Sequence, residues 1–287
     1  ADYQRLMTGD EEGADPGQPY PFFLAHPLES PLETLGPIDQ WQAEWKWDGI
    51  RAQLLRRQGQ VLIWSRGEEL MTDRFPEVRS VGGLLPEGTV LDGEILAWRD
   101  GRPLVFGVLQ RRIGRKKLSP KILADAPAVF MAYDILEHQG QDFRTTPLDV
   151  RRATLENLLA PIQDHPDIQV SPVVQTQSWD ELRKLREQSR ELAVEGLMLK
   201  HRDSPYRHGR KRGDWWKWKV DPLTVDAVLV YAQSGSGRRS TLYTDYTFAL
   251  WDGDALVPVA KAYSGLDDKE ILQLDRWIRA NTVERFG

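Results

Sequence analysis

The sequence predicts an α+β fold followed by a smaller, strand-rich domain, and three observations carry that expectation. From Trp41 onward, short apolar and aromatic runs alternate with Asp-Gly and Gln-Gly dipeptides, the pattern of antiparallel strands joined by tight turns. Helical spacing of apolar residues is confined to two stretches, 147–159 and 178–191. Beyond Pro222 the strand texture returns in three runs and helix signals give way to it.

Taken in order, residues 1–22 hold Asp2, Asp10, Glu11, Glu12 and Asp15 among Gly and Pro, without apolar periodicity, and read as a linker or tail. WQAEWKWDGIRAQLLRRQGQVLIWS (41–65) and TVLDGEILAWRDGRPLVF (89–106) read as strands turning at Asp48-Gly49, Gln58-Gly59 and Asp100-Gly101. Of the two helices, the second opens with Ser178 three residues before Glu181, a capping-box spacing. AVEGLMLK (193–200) and DWWKWKV (214–220) read as two further strands.

The chain has 287 residues, 40% hydrophobic and 28% charged, which is enough for two packed domains and excludes a disordered or fibrous chain. No run approaches the roughly 20 apolar residues of a membrane span, and the N-terminus lacks a signal-peptide layout, so a cytoplasmic protein of a bacterium or archaeon, without membrane attachment, is expected. Zero Cys excludes thiol catalysis and thiolate metal sites, and five scattered His leave little for an imidazole site. Any metal is expected to be a hard cation held by oxygen.

A net charge of −5 hides two basic segments. Residues 110–121 carry six cations and no acid, and 200–219 carry eight cations against two acids. Such runs are either solvated loops or phosphate contacts. In the second, Lys217 and Lys219 alternate with tryptophans at strand period, so both amines fall on one face and the rings of 216 and 218 on the other. Two cations side by side repel unless an anion lies over them.

The sharpest local signal is EWKWDGIR, Glu44 to Arg51. It is compatible with a plain hairpin turning at Asp48-Gly49. Yet Lys46 is the only lysine in the first 115 residues of a chain with 27 Arg and 11 Lys. Arginine stays protonated, whereas a lysine amine can lose its proton and attack an electrophile.

These residues resemble motif I of the covalent nucleotidyltransferases, the superfamily of ATP-dependent DNA ligases, RNA ligases and mRNA capping enzymes. SRGEELMT (65–72), LDGEI (91–95), MAYDIL (131–136), EGLMLK (195–200) and WWKWK (215–219) resemble the later motifs, in family order. The resemblance is to ATP-dependent DNA ligases. It implies a nucleotidyltransferase (adenylation) domain of antiparallel sheets flanked by helices over 23–220. An all-β OB-fold domain over 221–287, expected to be incomplete, would follow, and 1–22 would be a linker or the remnant of an N-terminal DNA-binding domain.

By matching positions, the resemblance makes Lys46 the nucleophile that takes AMP from ATP, with Asp48 in the same catalytic motif. Glu44 would stand where the adenine edge is read, Arg51 and Arg66 would hold phosphate and ribose, and Glu94 would lie near ribose and metal. Tyr133 and Met198 would cover the two faces of adenine. Glu195 would be a second metal-associated carboxylate, and Lys217 and Lys219 would hold the α-phosphate. The implied cofactors are ATP, as covalent AMP, and Mg²⁺ or Mn²⁺; the implied partner is nicked or broken double-stranded DNA, bound by a monomer. Arg111, Arg112, Lys116 and Lys117 are the candidate DNA contacts.

The family's usual final basic motif is not found before Gly287. An RNA ligase or other polynucleotide nucleotidyltransferase remains an alternative, as does a non-catalytic nucleic-acid-binding scaffold. His138, His165, His201 and His208 have no spacing that suggests a triad or a metal pair.

Overall fold

The computed structural model describes residues 17–115, 117–222 and 224–285, so most of the acidic N-terminal segment and Lys116 lie outside the described residues. These residues form two compact units that divide between Val220 and Asp221.

In the first unit, the strands are β1 (Trp41–Trp47), β2 (Ile50–Arg57), β3 (Gln60–Ser65), β4 (Thr89–Arg99), β5 (Ala128–His138), β6 (Ile168–Val170), β7 (Val194–His201) and β8 (Trp215–Lys219). The helices are α1 (Pro76–Gly82), α2 (Phe106–Ile113), α3 (Pro120–Asp125), α4 (Leu148–Leu159) and α5 (Trp179–Glu187). The larger sheet runs β6-β5-β4-β2-β3, antiparallel except for β6 against β5. The smaller runs β8-β7-β1, antiparallel, with His26–Pro27 added in parallel on β8.

Period-two alternation sends neighbouring residues into different cores. On β2, Leu54 packs with Val78 and Val81 of α1, Leu109 of α2 and Leu155 of α4, while Leu55 packs with Phe23, Val90, Leu136 and Trp215 where the two sheets meet. The outer face of the small sheet buries Trp41, Ala43, Leu197, Leu199 and Trp216 against Leu182 of α5. Each such fully buried aliphatic side chain contributes about 1.5–3 kcal/mol. Ser178 caps α5 by accepting from Glu181 N at 3.2 Å, but the Glu181 carboxylate accepts from Gln177 N instead of completing the box.

One turn differs from its sequence reading. Gln58-Gly59 and Asp100-Gly101 are hairpin turns with positive φ at both residues. Asp48-Gly49 is instead a crossover, because β1 belongs to the small sheet and β2 to the large one. Glycine is required there by space: a Cβ at Gly49 would stand 2.3 Å from Ile95 O.

The cationic run begins in the last turn of α2, which ends at Ile113, and Arg112 is a correction. Its side chain is fully buried, Nη1 and Nη2 each donate to Glu77 at 2.5 Å, Nε donates to Arg74 O at 2.8 Å, and the guanidinium lies 4.9 Å from the Phe75 ring centroid. It ties α2 to α1 and is no DNA contact. Arg112→Ala is expected to cost about 3–5 kcal/mol in a chemical denaturation, the scale of orphaning a largely buried partner charge. A loss under 1 kcal/mol would overturn that role. Arg111 and Lys117 are exposed.

The second unit is an antiparallel meander of β9 (Val228–Ser234), β10 (Tyr243–Asp252) and β11 (Ala255–Ala262), followed by α6 (Asp268–Asn281). The helix departs from the all-β expectation. Its signal was present as a capping box: Glu270 N donates to Asp267 Oδ1 and Asp267 N to Glu270 Oε2, both at 2.8 Å. Among the described residues, no helix is long and apolar enough to cross a membrane.

Candidate active-site cleft

A cleft of about 800 Å³ opens between the two sheets of the first unit. Its floor is one face of the small sheet. β1 presents Glu44 and Lys46, β7 presents Met198 and Lys200, and β8 presents Trp215, Lys217 and Lys219. Register aligns them in rows: Met198 lies opposite both Glu44 and Lys217, Lys200 opposite Gln42 and Trp215, and Gly196 opposite Lys219. The tryptophans that alternate with the lysines, Trp216 and Trp218, pack into the opposite core, as strand period required.

The row that begins at Lys46 is held by charge. Glu195 Oε2 accepts from Lys46 Nζ and Oε1 from Lys219 Nζ, the latter at 2.9 Å. Of the two cations paired on β8, this carboxylate therefore covers Lys219 and leaves Lys217 uncovered. Burial works to raise the Glu195 pKa, but the hydrogen bonds from Lys219 and Lys46 outweigh it and hold the carboxyl below its ordinary value. The Lys217 side chain has no hydrogen bond or ion pair among the described residues. Burial, followed by the charges of Arg210, Lys219 and Lys46, holds its amine below the usual lysine range. Gly196 permits the close pass of β7 on β8: its φ is +131° and a Cβ would fall 2.3 Å from Trp218 O.

The facing wall carries Arg51, Arg66, Glu94 and Tyr133, with Asp48 at the crossover. Arg51 is not a free phosphate ligand. Nε and Nη2 grip Asp92 at 3.2 and 2.7 Å, and Nη1 donates to Phe23 O at 2.5 Å. Its fork chiefly braces the wall, and Tyr206 OH donates to the same Asp92 at 2.7 Å. Arg66 is exposed, with its backbone N bonded to Arg51 O at 2.9 Å.

Burial pushes the Glu94 carboxyl up to about 8, against the opposing charges of Lys46 and Arg51. Between pH ~4.5, where the group titrates in an unfolded chain, and pH 8, the folded state holds a proton the unfolded state has lost. Stability therefore falls as pH rises through that window and levels above it. Glu94→Gln should flatten this slope, by on the order of a few kcal/mol between pH 5 and 8.5 in denaturant titrations. Parallel slopes for parent and variant would refute it.

Sequence reasoning thus placed ten residues that the fold brings to one cleft: Glu44, Lys46, Asp48, Arg51, Arg66, Glu94, Tyr133, Met198, Lys217 and Lys219, with Glu195 between the lysines. It missed Lys200 and Arg210, which also line it. The two-residue step from Met198 to Lys200 was the available signal for the first. The basic run that contains them is only partly a solvated segment. Lys200 is buried, Arg202 pairs with Asp149 at 2.9 Å, and Arg207 pairs with Asp214. None of the four histidines set aside above lines the cleft.

Two helix-flanked sheets enclosing a cleft, with a lysine amine on its floor and further cations beside it, define a nucleotidyltransferase domain. The family described as ATP dependent DNA ligase domain matches residues 22–219, and the chain belongs to that family. A probable DNA ligase of Koribacter versatilis is 36% identical over 289 residues, covering 94% of this chain and 50% of that protein. A DNA ligase of Archaeoglobus fulgidus is 30% identical over 272 residues, covering 94% of this chain and 48% of that protein. The chain spans about half the length of these curated relatives. Among solved structures, a mycobacterial DNA ligase D complexed with ATP and MES aligns with a TM-score of 0.56 at 24% identity, over 91% of this chain and 77% of that one. A Lig E DNA ligase aligns with a TM-score of 0.63 at 21% identity, over 88% and 87%. At those identities the structures attest the fold.

Proposed function

We propose that this chain carries the adenylating core of an ATP-dependent DNA ligase. The observation that supports it best is the row Lys46, Glu195, Lys219 on the cleft floor, with Lys217 one step away. Lys46 Nζ, after losing a proton, attacks the α-phosphorus of ATP. The P–N bond forms as the bond to the β-phosphate oxygen breaks, and pyrophosphate leaves. AMP then passes to the 5′-phosphate of a break, and the 3′-hydroxyl displaces it. Lys217 and Lys219 neutralise the charge that builds on the α-phosphate. Because Glu195 accepts from Lys46, ATP must compete for that amine. The singly charged α-phosphate and the carboxylate exchange places on Lys219.

The donor set suits a hard cation. Glu94 and Glu195 offer only oxygen, and among the described residues no group of three or more His, Cys, Asp or Glu encloses a metal. Glu94, protonated near neutrality without a cation, would gain its charge beside one. These two residues would hold Mg²⁺ or Mn²⁺ jointly with phosphate oxygens, where it supplies charge neutralisation. Residues 23–220 form the adenylation domain and 221–287 belong to an OB-fold domain in this reading, with Arg111 and Lys117 on the DNA backbone and the enzyme acting as a cytoplasmic monomer.

Incubation with α-labelled ATP and Mg²⁺, then a denaturing gel, should show a covalent adduct that nicked DNA discharges. An absent adduct would overturn the adenylation reading and leave the binding scaffold. An adduct made with GTP, or discharged only by nicked RNA, would redirect it to capping or RNA joining.

A further inference from the structure

Lys219 stands where β8 runs out of strand neighbours. Its ladder with β7 ends at the pair Gly196–Lys219. On the opposite edge, His26–Pro27 reach no further than Lys217, whose carbonyl accepts from Leu28 N at 3.0 Å. Carbonyls two residues apart on a strand face the same edge, so Lys219 O points past the end of that short partner. A backbone group left there needs another partner, or the strand end frays. The Lys219 side chain alone fixes little, being 47% exposed and sharing Glu195 with Lys46.

Arg186 supplies the missing partner. Its Nε, at 3.2 Å, and its Nη2 both donate to Lys219 O. Val220 N donates to Glu195 O at 3.0 Å, so the single peptide unit after Lys219 is held at its carbonyl by α5 and at its N–H by β7. The guanidinium also lies 4.5 Å from the Trp218 ring centroid. Its base is equally anchored. Trp179, Leu182 and Arg186 follow at helical spacing along α5, and the first two pack in the core that contains Trp218. Buried Ser189 closes the helix end, donating to Arg186 O from N at 3.1 Å and from Oγ at 2.6 Å. A planar fork serves one carbonyl and one ring together, which an ammonium does not.

We propose that Arg186 is a positioning residue for adenylation, completing the open edge of β8 so that the Lys219 amine stays beside Lys46 and meets the α-phosphate. This rests on the adenylation reading above. Arg186 does not line the cleft, so its effect travels through the Lys219 backbone. A donor aimed at developing charge is effective only while its backbone is preorganised. Without the guanidinium the end of β8 loosens at Lys219, whereas Lys217, held through Leu28, keeps its place.

The test is a double-mutant cycle on the full chain, read as the single-turnover rate constant of adduct formation at saturating ATP. That constant does not depend on how much of a preparation is folded. Arg186→Ala should lower it about tenfold, a part of what losing a preorganised donor outright removes. Added to Lys219→Ala, it should lower it no further, because the group it positions is already gone. Added to Lys217→Ala, the same factor should persist in full. Arg186→Lys, a point charge without the fork, should recover part of the rate. An unchanged rate in Arg186→Ala, or an equal effect in the parent and Lys219→Ala backgrounds, would overturn the proposal and leave the adenylation reading standing. A parent that forms no adduct would overturn both.

Discussion

Lys46→Arg should form no covalent adduct with ATP. The guanidinium keeps the positive charge and can still pair with Glu195, so the variant should fold and melt as the parent does. What it loses is the neutral amine: a guanidinium does not deprotonate near neutral pH and offers no lone pair to phosphorus. Because the lesion is confined to the first step, sealing of a pre-adenylated nick should survive in part. Labelled adduct recovered from Lys46→Arg would show that another residue is the nucleophile, and the row built on Glu195 would lose its meaning.

Lys217→Ala should slow adenylation by about a hundredfold, the scale of losing one preorganised charge donor. The structure separates this lysine from Lys219. Lys219 is bonded to Glu195, whereas the Lys217 side chain has no hydrogen bond or ion pair among the described residues and feels the like charges of Arg210, Lys219 and Lys46 more than the opposite charge of Glu195. Burial first, then those like charges, disfavours its charged form. Since its folded pKa is lowered, its charge weakens the fold wherever the amine is protonated, and this penalty fades as pH rises toward the unfolded value near 10.5. Removing it should therefore leave the melting temperature at neutral pH unchanged or slightly raised while the rate collapses. A lysine kept for structure would do the reverse. An unchanged rate at neutral pH would remove β8 from the active site.

Much of the cleft was legible because its signals are local. Strand period alone placed Lys217 and Lys219 on one face, and Arg-rich usage singled out Lys46. The second unit was read less well, because its helix depends on a capping box in a stretch whose strand texture drew the attention. Within the basic run 110–121, Arg112 was misjudged for a different reason. Arg111 and Arg112 are adjacent and chemically identical, yet one is exposed and the other is sealed against Glu77 and Phe75. Nothing in the local sequence distinguishes them.

What the sequence by itself determined is the inventory of chemistry: a lysine able to attack, cations spaced to bracket a phosphate, oxygen ligands and no sulfur, and strands whose period assigns each side chain to a face. Tertiary structure alone decided which of these groups meet. Glu195 reaches Lys46 across 149 positions of chain, Arg51 is taken up by Asp92 from 41 positions away, and Asp48-Gly49 carries the chain between two sheets instead of closing a hairpin. Period and propensity act over a few residues, whereas the partner of a charge is set by the register of strands distant in sequence. The cost of burying that charge unpaired makes the register specific.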